Sequence, residues 1–219
     1  MKKYTQATIV ILLAALPLVY LLKVYPSLPA IIPTHFGFDG KPNGYSEKPN
    51  LIWIVLFVSL ISVGAYVLIR NLPQFDPKKT ASQSSGNMQK IAMAVVALMS
   101  AITISIIYSS LHGSISFNRL FHPLMGIFFI VVGNLMYNIK PNYFVGIRIP
   151  WTLENKDNWR ATHHMGGKLW VLGGILITIC SPFLPEKTGE YFFMGTTLVL
   201  AIVPIIYSFV YFRNHKMSV

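Results

Sequence analysis

The chain has 219 residues, of which 53% are hydrophobic and only 11% are charged, and its formal net charge is +11. Soluble domains average about 25% charged residues, so the composition excludes an ordinary soluble domain and indicates a membrane protein. The single cysteine, Cys180, excludes an intramolecular disulfide and a cysteine-based metal site.

Six apolar segments are long enough to cross a bilayer, whose hydrocarbon core of roughly 30 Å requires about 20 helical residues. They cover residues 5–24, 51–69, 91–111, 120–137, 169–184 and 191–212. The first follows Met1-Lys2-Lys3 without a convincing signal-peptide cleavage site, so we expect an uncleaved membrane helix. The predicted fold class is an all-α integral membrane protein with six transmembrane helices.

The lysines and arginines are distributed unevenly around these segments. Of the 18, thirteen lie at the two termini or within 70–90 and 140–168, and five lie in the remaining connections. Because basic residues concentrate on the cytoplasmic side, both termini are predicted to be cytoplasmic.

Three regions follow from this topology. Residues 1–75 are expected to form a two-helix membrane domain with an outward-facing loop, and 76–90 a polar cytoplasmic linker. Residues 91–219 are expected to form a four-helix membrane domain whose cytoplasmic loop spans 138–168.

The first loop, at about 25–50, is rich in proline and glycine, which predicts an ordered, non-helical connection. Its His35, Asp39 and Glu47 are scattered, whereas a metal site needs three or four converging ligands. We therefore expect a structural or interface role for His35, with ligand or metal binding as the alternative.

Ionisable residues are almost absent from the interior of the spans, which argues against an ion-coupled transporter. Asn134 is the clearest candidate for a buried polar side chain, and Thr103 and Ser105 add hydroxyl groups. Interhelical hydrogen bonding is their expected role. The alternative function, a small-solute or lipid transporter, would need them to line a polar cavity at the midplane.

The polar, aromatic segment 142–167 carries the strongest signal. Gly146 and Pro150 bracket Arg148 in an extended or turn-like stretch, because the residue before a proline avoids the helical region. Thr152 is predicted to cap a short helix after it.

A continuous helical face is predicted to follow and to lead into the fifth span. Its residues are Trp159, Thr162, His163, Gly166 and Trp170. Trp151, Trp159 and Trp170 are expected to form an aromatic belt at the level of the lipid head groups.

Catalysis by this segment would use His163 or His164 with Glu154 or Asp157 as acid–base groups. No nucleophile motif and no phosphate-binding loop accompany them. Adjacent histidines on a helix also point in different directions. We expect no enzymatic activity, no cofactor and no metal; a hydrolase with a metal bound at His163 is the alternative.

Four parts of the sequence carry a family pattern: "GNLMYN" (133–138), "NYFVGIRIPWTL" (142–153), Trp159 and "THHMGG" (162–167). Together they resemble the SdpI family of bacterial membrane proteins. The upstream "LPAIIPTHFGFDGKPNGY" (28–45) resembles a small uncharacterised membrane domain that often precedes this family. Ile149 and His164 depart from the family pattern, which usually has threonine and arginine there.

The resemblance implies a multi-pass immunity protein of the bacterial cell membrane that gives resistance to a secreted antimicrobial peptide toxin. In the best-known case the family member is also a receptor that sequesters a cytoplasmic transcriptional repressor. The implied partners are therefore the lipid bilayer, an extracellular peptide and a repressor, without direct nucleic-acid binding. The predicted functional patch, for a partner or for structure, comprises His35, Asn134, Asn142, Gly146, Arg148, Pro150, Trp151, Thr152, Trp159, Thr162 and His163.

Overall fold

The computed structural model describes residues 3–37, 39–75, 85–112 and 117–216. The helices are α1 (Lys3–Val24), α2 (Lys48–Asn71), α3 (Ser85–His112), α4 (Phe117–Met136), α5 (Pro150–Glu154), α6 (Lys156–Cys180) and α7 (Glu186–Lys216). In this described part, all of these except the short α5 are long and apolar enough to cross a membrane. The predicted six-helix membrane architecture is confirmed.

Two helices extend into polar sequence that was predicted to lie between the membrane spans. Helix α3 already begins at Ser85, so the end of the predicted 76–90 linker is helical, while 76–84 lie outside the described residues. Helix α6 begins at Lys156, inside the predicted 138–168 loop. The Asn155 side chain caps it by accepting the main-chain N–H groups of Asp157 and Asn158, each at 2.9 Å.

The first loop folds into an antiparallel hairpin of β1 (Ile31–Phe36) and β2 (Pro42–Glu47). The predicted ordered, non-helical connection is therefore correct, and a strand pair is added to the helical fold. Ile32 is fully buried in a core that also contains Leu21 of α1, Val55 of α2 and Ile107 of α3. The hairpin is thus anchored on the first three long helices.

Helix α3 connects the two halves of the molecule. It packs against α1 and α2 on one side and against α4 on the other. A second core, made by Phe129, Ile177 and Leu200, holds α4, α6 and α7 together. The later helices therefore have a core of their own.

Helices α4 and α6 approach so closely that their backbones touch at two levels. A Cβ atom on Gly167 would lie 2.7 Å from the carbonyl oxygen of Gly133, and one on Gly174 would lie 2.5 Å from that of Gly126. Small residues permit this kind of close helix contact in membranes. The α4–α6 pair therefore fixes the two ends of the connection between these helices, residues 137–155.

Candidate functional site

Asn142 organises the chain between α4 and α5 with a single buried side chain. Its amide nitrogen donates to the carbonyl oxygens of Lys140 and Val145, at 2.9 and 3.0 Å. Its amide oxygen accepts the main-chain N–H groups of Phe144 and Val145, both at 2.8 Å. All the donors and acceptors of the side chain are used, so its role is to hold the turn.

His163 attaches the next part of this connection to α6. Its Nε2 atom accepts the main-chain N–H of Ile147 at 3.0 Å, and its Nδ1–H donates to the carbonyl oxygen of Trp159 at 2.8 Å. One acceptor and one donor match the neutral imidazole. Gly146 makes the approach possible, because its φ is +118° and a Cβ there would overlap Nε2.

Thr152 stabilises the start of α5 from inside the helix. The helix begins at Pro150, so the prediction that Thr152 occupies the capping position is wrong. Ile149 occupies it, in the extended conformation expected before a proline. The buried Thr152 hydroxyl accepts the Ile149 N–H at 3.1 Å and lies 2.8 Å from the Ile147 carbonyl oxygen.

The aromatic-belt prediction is wrong for Trp159, which is 1% exposed. Its indole N–H donates to the carbonyl oxygen of Ile139 at 2.8 Å, and its ring stacks on His163. Trp170 is half-buried and donates to the carbonyl oxygen of Leu200 on α7 at 2.9 Å. Both indoles tie chain segments together inside the protein.

Trp151 is the third tryptophan of that prediction, and it is half-buried against α7. Its ring lies 5.4 Å from that of Phe209 and 6.2 Å from that of Phe212. Within the described residues its indole nitrogen is buried without a hydrogen-bond partner. Trp151 therefore anchors α5 on α7 by aromatic packing.

Arg148 and Pro150 are the exposed members of this region. The Arg148 guanidinium donates to the carbonyl oxygen of Tyr143, which orients the side chain over the turn. An exposed charged side chain on an ordered loop is better suited to binding another molecule than to packing within the protein.

Two members of the predicted patch lie elsewhere. Asn134 is exposed on α4, so the prediction of a buried polar residue is wrong. The exposed His35 lies on β1, whose Phe36 stacks on Phe117 at the start of α4, whereas the patch follows the end of that helix. The remaining nine residues, within 142–163, come together as one folded unit on α6.

A cleft of about 730 Å³ opens beside this unit, between the end of α4 and the first turns of α6. Lys140, Lys156 and Arg160 line it, with Asp157 as the carboxylate among the lining residues. On its wall the rings of Tyr137 and His164 stack in parallel, with centroids 3.9 Å apart.

Metal binding at the predicted alternative positions finds no geometric support. Among the described residues, no three His, Cys, Asp or Glu side chains are grouped closely enough to hold an ion. Both nitrogens of His163 are already bound to the main chain.

This unit lies within the part of the chain that is similar to a known protein family. The model of the SdpI/YfhL protein family matches residues 138–208, which run from the Asn142 turn through α6 into α7. The chain is 26% identical over 216 residues to "Immunity protein SdpI" of Bacillus subtilis (strain 168), covering 99% of this chain and 97% of that protein. The predicted resemblance to the SdpI family is therefore confirmed, and residues 138–208 are called the SdpI-family unit below.

The N-terminal part matches a second family model. Residues 12–60, from α1 through the hairpin into α2, match the domain of unknown function DUF1648. No solved structure shows significant similarity to the chain.

The SdpI-family unit contains one buried polar residue that the sequence reasoning missed. Asn158 is fully buried and donates to the carbonyl oxygen of Ser208 on α7 at 3.0 Å. Its own oxygen accepts the hydroxyls of Ser208 and Thr162, at 2.8 and 2.9 Å. Asn158 precedes Thr162 by four residues and so lies on the same predicted helical face, and this spacing is the signal that identifies it.

The two departures from the SdpI-family pattern are explained by their contacts. At position 149 the main-chain N–H makes the contact with Thr152, so isoleucine preserves it. At position 164 the ring stacks flat on Tyr137. A planar guanidinium can stack on an aromatic ring in the same way, so histidine keeps the stacking geometry without a permanent charge.

Proposed function

We propose that this chain is a membrane immunity protein that gives its cell resistance to a secreted antimicrobial peptide. The observation that carries the proposal is the end-to-end match to the B. subtilis immunity protein, which extends over both the N-terminal region and the SdpI-family unit. We place the protein in the bacterial cell membrane, with both termini in the cytoplasm.

A non-enzymatic mechanism is part of the proposal. The strongest acid–base candidate, His163, has both ring nitrogens engaged by the main chain. Asn142 and Thr152 likewise use their polar atoms to hold the connection in place. These buried side chains hold in place the segment that carries the exposed Arg148.

The two ends of the bundle are proposed to meet different partners. The hairpin packs at the start of α4 through Phe36 and Phe117. The SdpI-family unit follows the end of α4. The 20 residues of α4 separate them by about 30 Å. In the proposed orientation the hairpin meets the toxin, and Arg148 faces a cytoplasmic transcriptional repressor.

The transporter alternative loses the feature it required. Asn134 points out of the bundle, and the hydroxyls of Thr103 and Ser105 donate to carbonyl oxygens of their own helix at 2.8 Å. These residues therefore do not line a shared midplane cavity, and we do not carry that function further.

The test is survival of a sensitive bacterium that expresses the chain or an empty vector, challenged with a panel of membrane-active secreted peptides. We expect the chain to raise the inhibitory concentration of at least one peptide, with its membrane level verified by immunoblot. Equal killing of both strains by every peptide would refute the immunity proposal.

Repressor capture is tested separately. A repressor encoded beside this gene should move to the membrane fraction when the peptide is added, and only in cells that contain the chain. A repressor that stays soluble while cells survive would remove this part of the proposal and leave immunity standing.

A further inference from the structure

The cleft between the end of α4 and the start of α6 brings cations together from two chain segments. Lys156 and Arg160 project from successive turns of α6, and Lys140 lies on the connection after α4. Asp157 is the acidic residue of the lining, so positive charge prevails. The cleft is about 730 Å³, large enough for a small charged group with part of its attached chain.

Basic side chains recur along α6 at helical spacing. Lys156, Arg160, His164 and Lys168 follow one another at intervals of four residues. Lys156 and Arg160 carry like charges at this spacing, and such a pair destabilises a helix. Arg160 and Lys168 are both close enough to His164 to interact with it electrostatically. An anion in the cleft would offset this repulsion.

The cleft also lies where two membrane-crossing helices reach the polar region of a bilayer. The crossing segment of α4 ends at Met136, one residue before the cleft lining begins, and that of α6 begins at Lys156. Helices that cross a bilayer have their ends at the level of the lipid head groups. Basic pockets between transmembrane helices bind phosphate-containing head groups in other membrane proteins.

We propose that this cleft is a binding site for a phosphate group, held by Lys156 and Arg160 from α6 and by Lys140 from the opposite side. The phosphate belongs either to an anionic lipid head group or to a soluble phosphate ion. The site is separate from Arg148, and it does not depend on the proposed immunity function.

The experiment compares two pairs of substitutions in the purified full-length chain. Lys156→Gln with Arg160→Gln removes two exposed cations from the cleft. Arg119→Gln with Lys187→Gln removes two exposed cations at the other end of the bundle, with the same change in net charge. A third variant, Lys156→Arg with Arg160→Lys, keeps both charges.

Two arms distinguish the sources of the phosphate. In the first, native mass spectrometry measures retention of phosphatidylglycerol against phosphatidylcholine from mixed micelles. In the second, isothermal titration calorimetry measures binding of inorganic phosphate in an uncharged detergent. Circular dichroism verifies that every variant retains its helices.

We expect the glutamine pair in the cleft to weaken binding by roughly 25-fold, about fivefold for each removed cation. The distal pair and the charge-preserving variant should stay close to the unmodified chain. Binding in the lipid arm assigns the site to a lipid head group, and binding in the phosphate arm alone assigns it to the soluble ion. Absence of binding in both arms, or equal loss in the cleft and distal pairs, overturns the proposal.

Discussion

The Nε2 atom of His163 accepts the main-chain N–H of Ile147 at a distance of 3.0 Å. This bond joins an irregular connection to a membrane-crossing helix. On the other side of the ring, Nδ1–H is held by the carbonyl oxygen of Trp159. The histidine is therefore a structural bridge, and the conformation of the segment that presents Arg148 depends on it.

Replacing this bridge should destabilise the protein. His163→Ala leaves the Ile147 N–H without its acceptor, and an unsatisfied, partly buried donor costs about 1–3 kcal/mol. Thermal unfolding in detergent, followed by circular dichroism, measures the effect. His215→Ala is the matched control, since His215 is exposed near the end of α7. Equal unfolding temperatures for the two variants would contradict the assigned role.

Gly146→Ala should be more harmful than an ordinary glycine substitution. The φ of +118° is strained for alanine, and the added Cβ would overlap the His163 ring. Strained backbone of this kind costs about 1–3 kcal/mol. Gly64→Ala is the control, because a Cβ at Gly64 meets no atom within 4 Å. The same unfolding assay should show a loss for the first variant and none for the second.

The Asn158–Ser208 contact should show measurable coupling between α6 and α7. A double-mutant cycle of Asn158→Ala and Ser208→Ala isolates the interaction of the two side chains. Hydrogen bonds between membrane helices contribute about 0.6–2 kcal/mol, so we expect a coupling energy in that range from unfolding in detergent. Strictly additive effects of the two substitutions would show that the bond contributes nothing.

Arg148→Ala should remove protective activity while leaving the protein folded. The Arg148 side chain is exposed and donates a hydrogen bond to the Tyr143 carbonyl oxygen. Because surface substitutions usually change stability by less than about 0.5 kcal/mol, the unfolding temperature should hardly move. Survival of peptide-challenged cells is the readout, with the distal Arg119→Ala as control. Full protection by a correctly inserted Arg148→Ala chain would remove this residue from the functional patch.

The general architecture could be predicted because it depends on local properties of the chain. Apolar runs predict the membrane-crossing helices, and the helical spacing of Trp159, Thr162 and His163 correctly predicted one shared face. The extended conformation of Ile149 follows from the proline after it. Each of these features is determined within a few residues of sequence.

The errors arise where the rotation and packing of helices decide the outcome. Successive helical residues differ by about 100° in direction, and Gly133 faces α6, so Asn134 is turned towards the outside. Tryptophan is typical of the lipid head-group level, but the connection that carries Ile139 folds over Trp159 and buries it. Neither result is visible in a linear pattern, because each depends on contacts between distant segments.

The four hydrogen bonds of Asn142 illustrate the same limit within a single turn. The sequence predicts that Asn142 belongs to the functional patch, and in the structure its amide bonds main-chain N–H groups and carbonyl oxygens on both sides of it. An aspartate would lack the two amide N–H groups that reach the carbonyl oxygens. The amide is required by geometry that only the folded turn defines.

The glycine contacts between α4 and α6 have a mechanical consequence. The main chains of the two helices approach closely at Gly133–Gly167 and again at Gly126–Gly174. No side chain separates the helices at these four positions. We expect the two helices to move as one rigid body. At one end of this helix pair Phe117 contacts Phe36 of the hairpin, and at the other end the rings of Tyr137 and His164 stack. We therefore expect a displacement of the hairpin to shift both ends of the α4–α6 pair together.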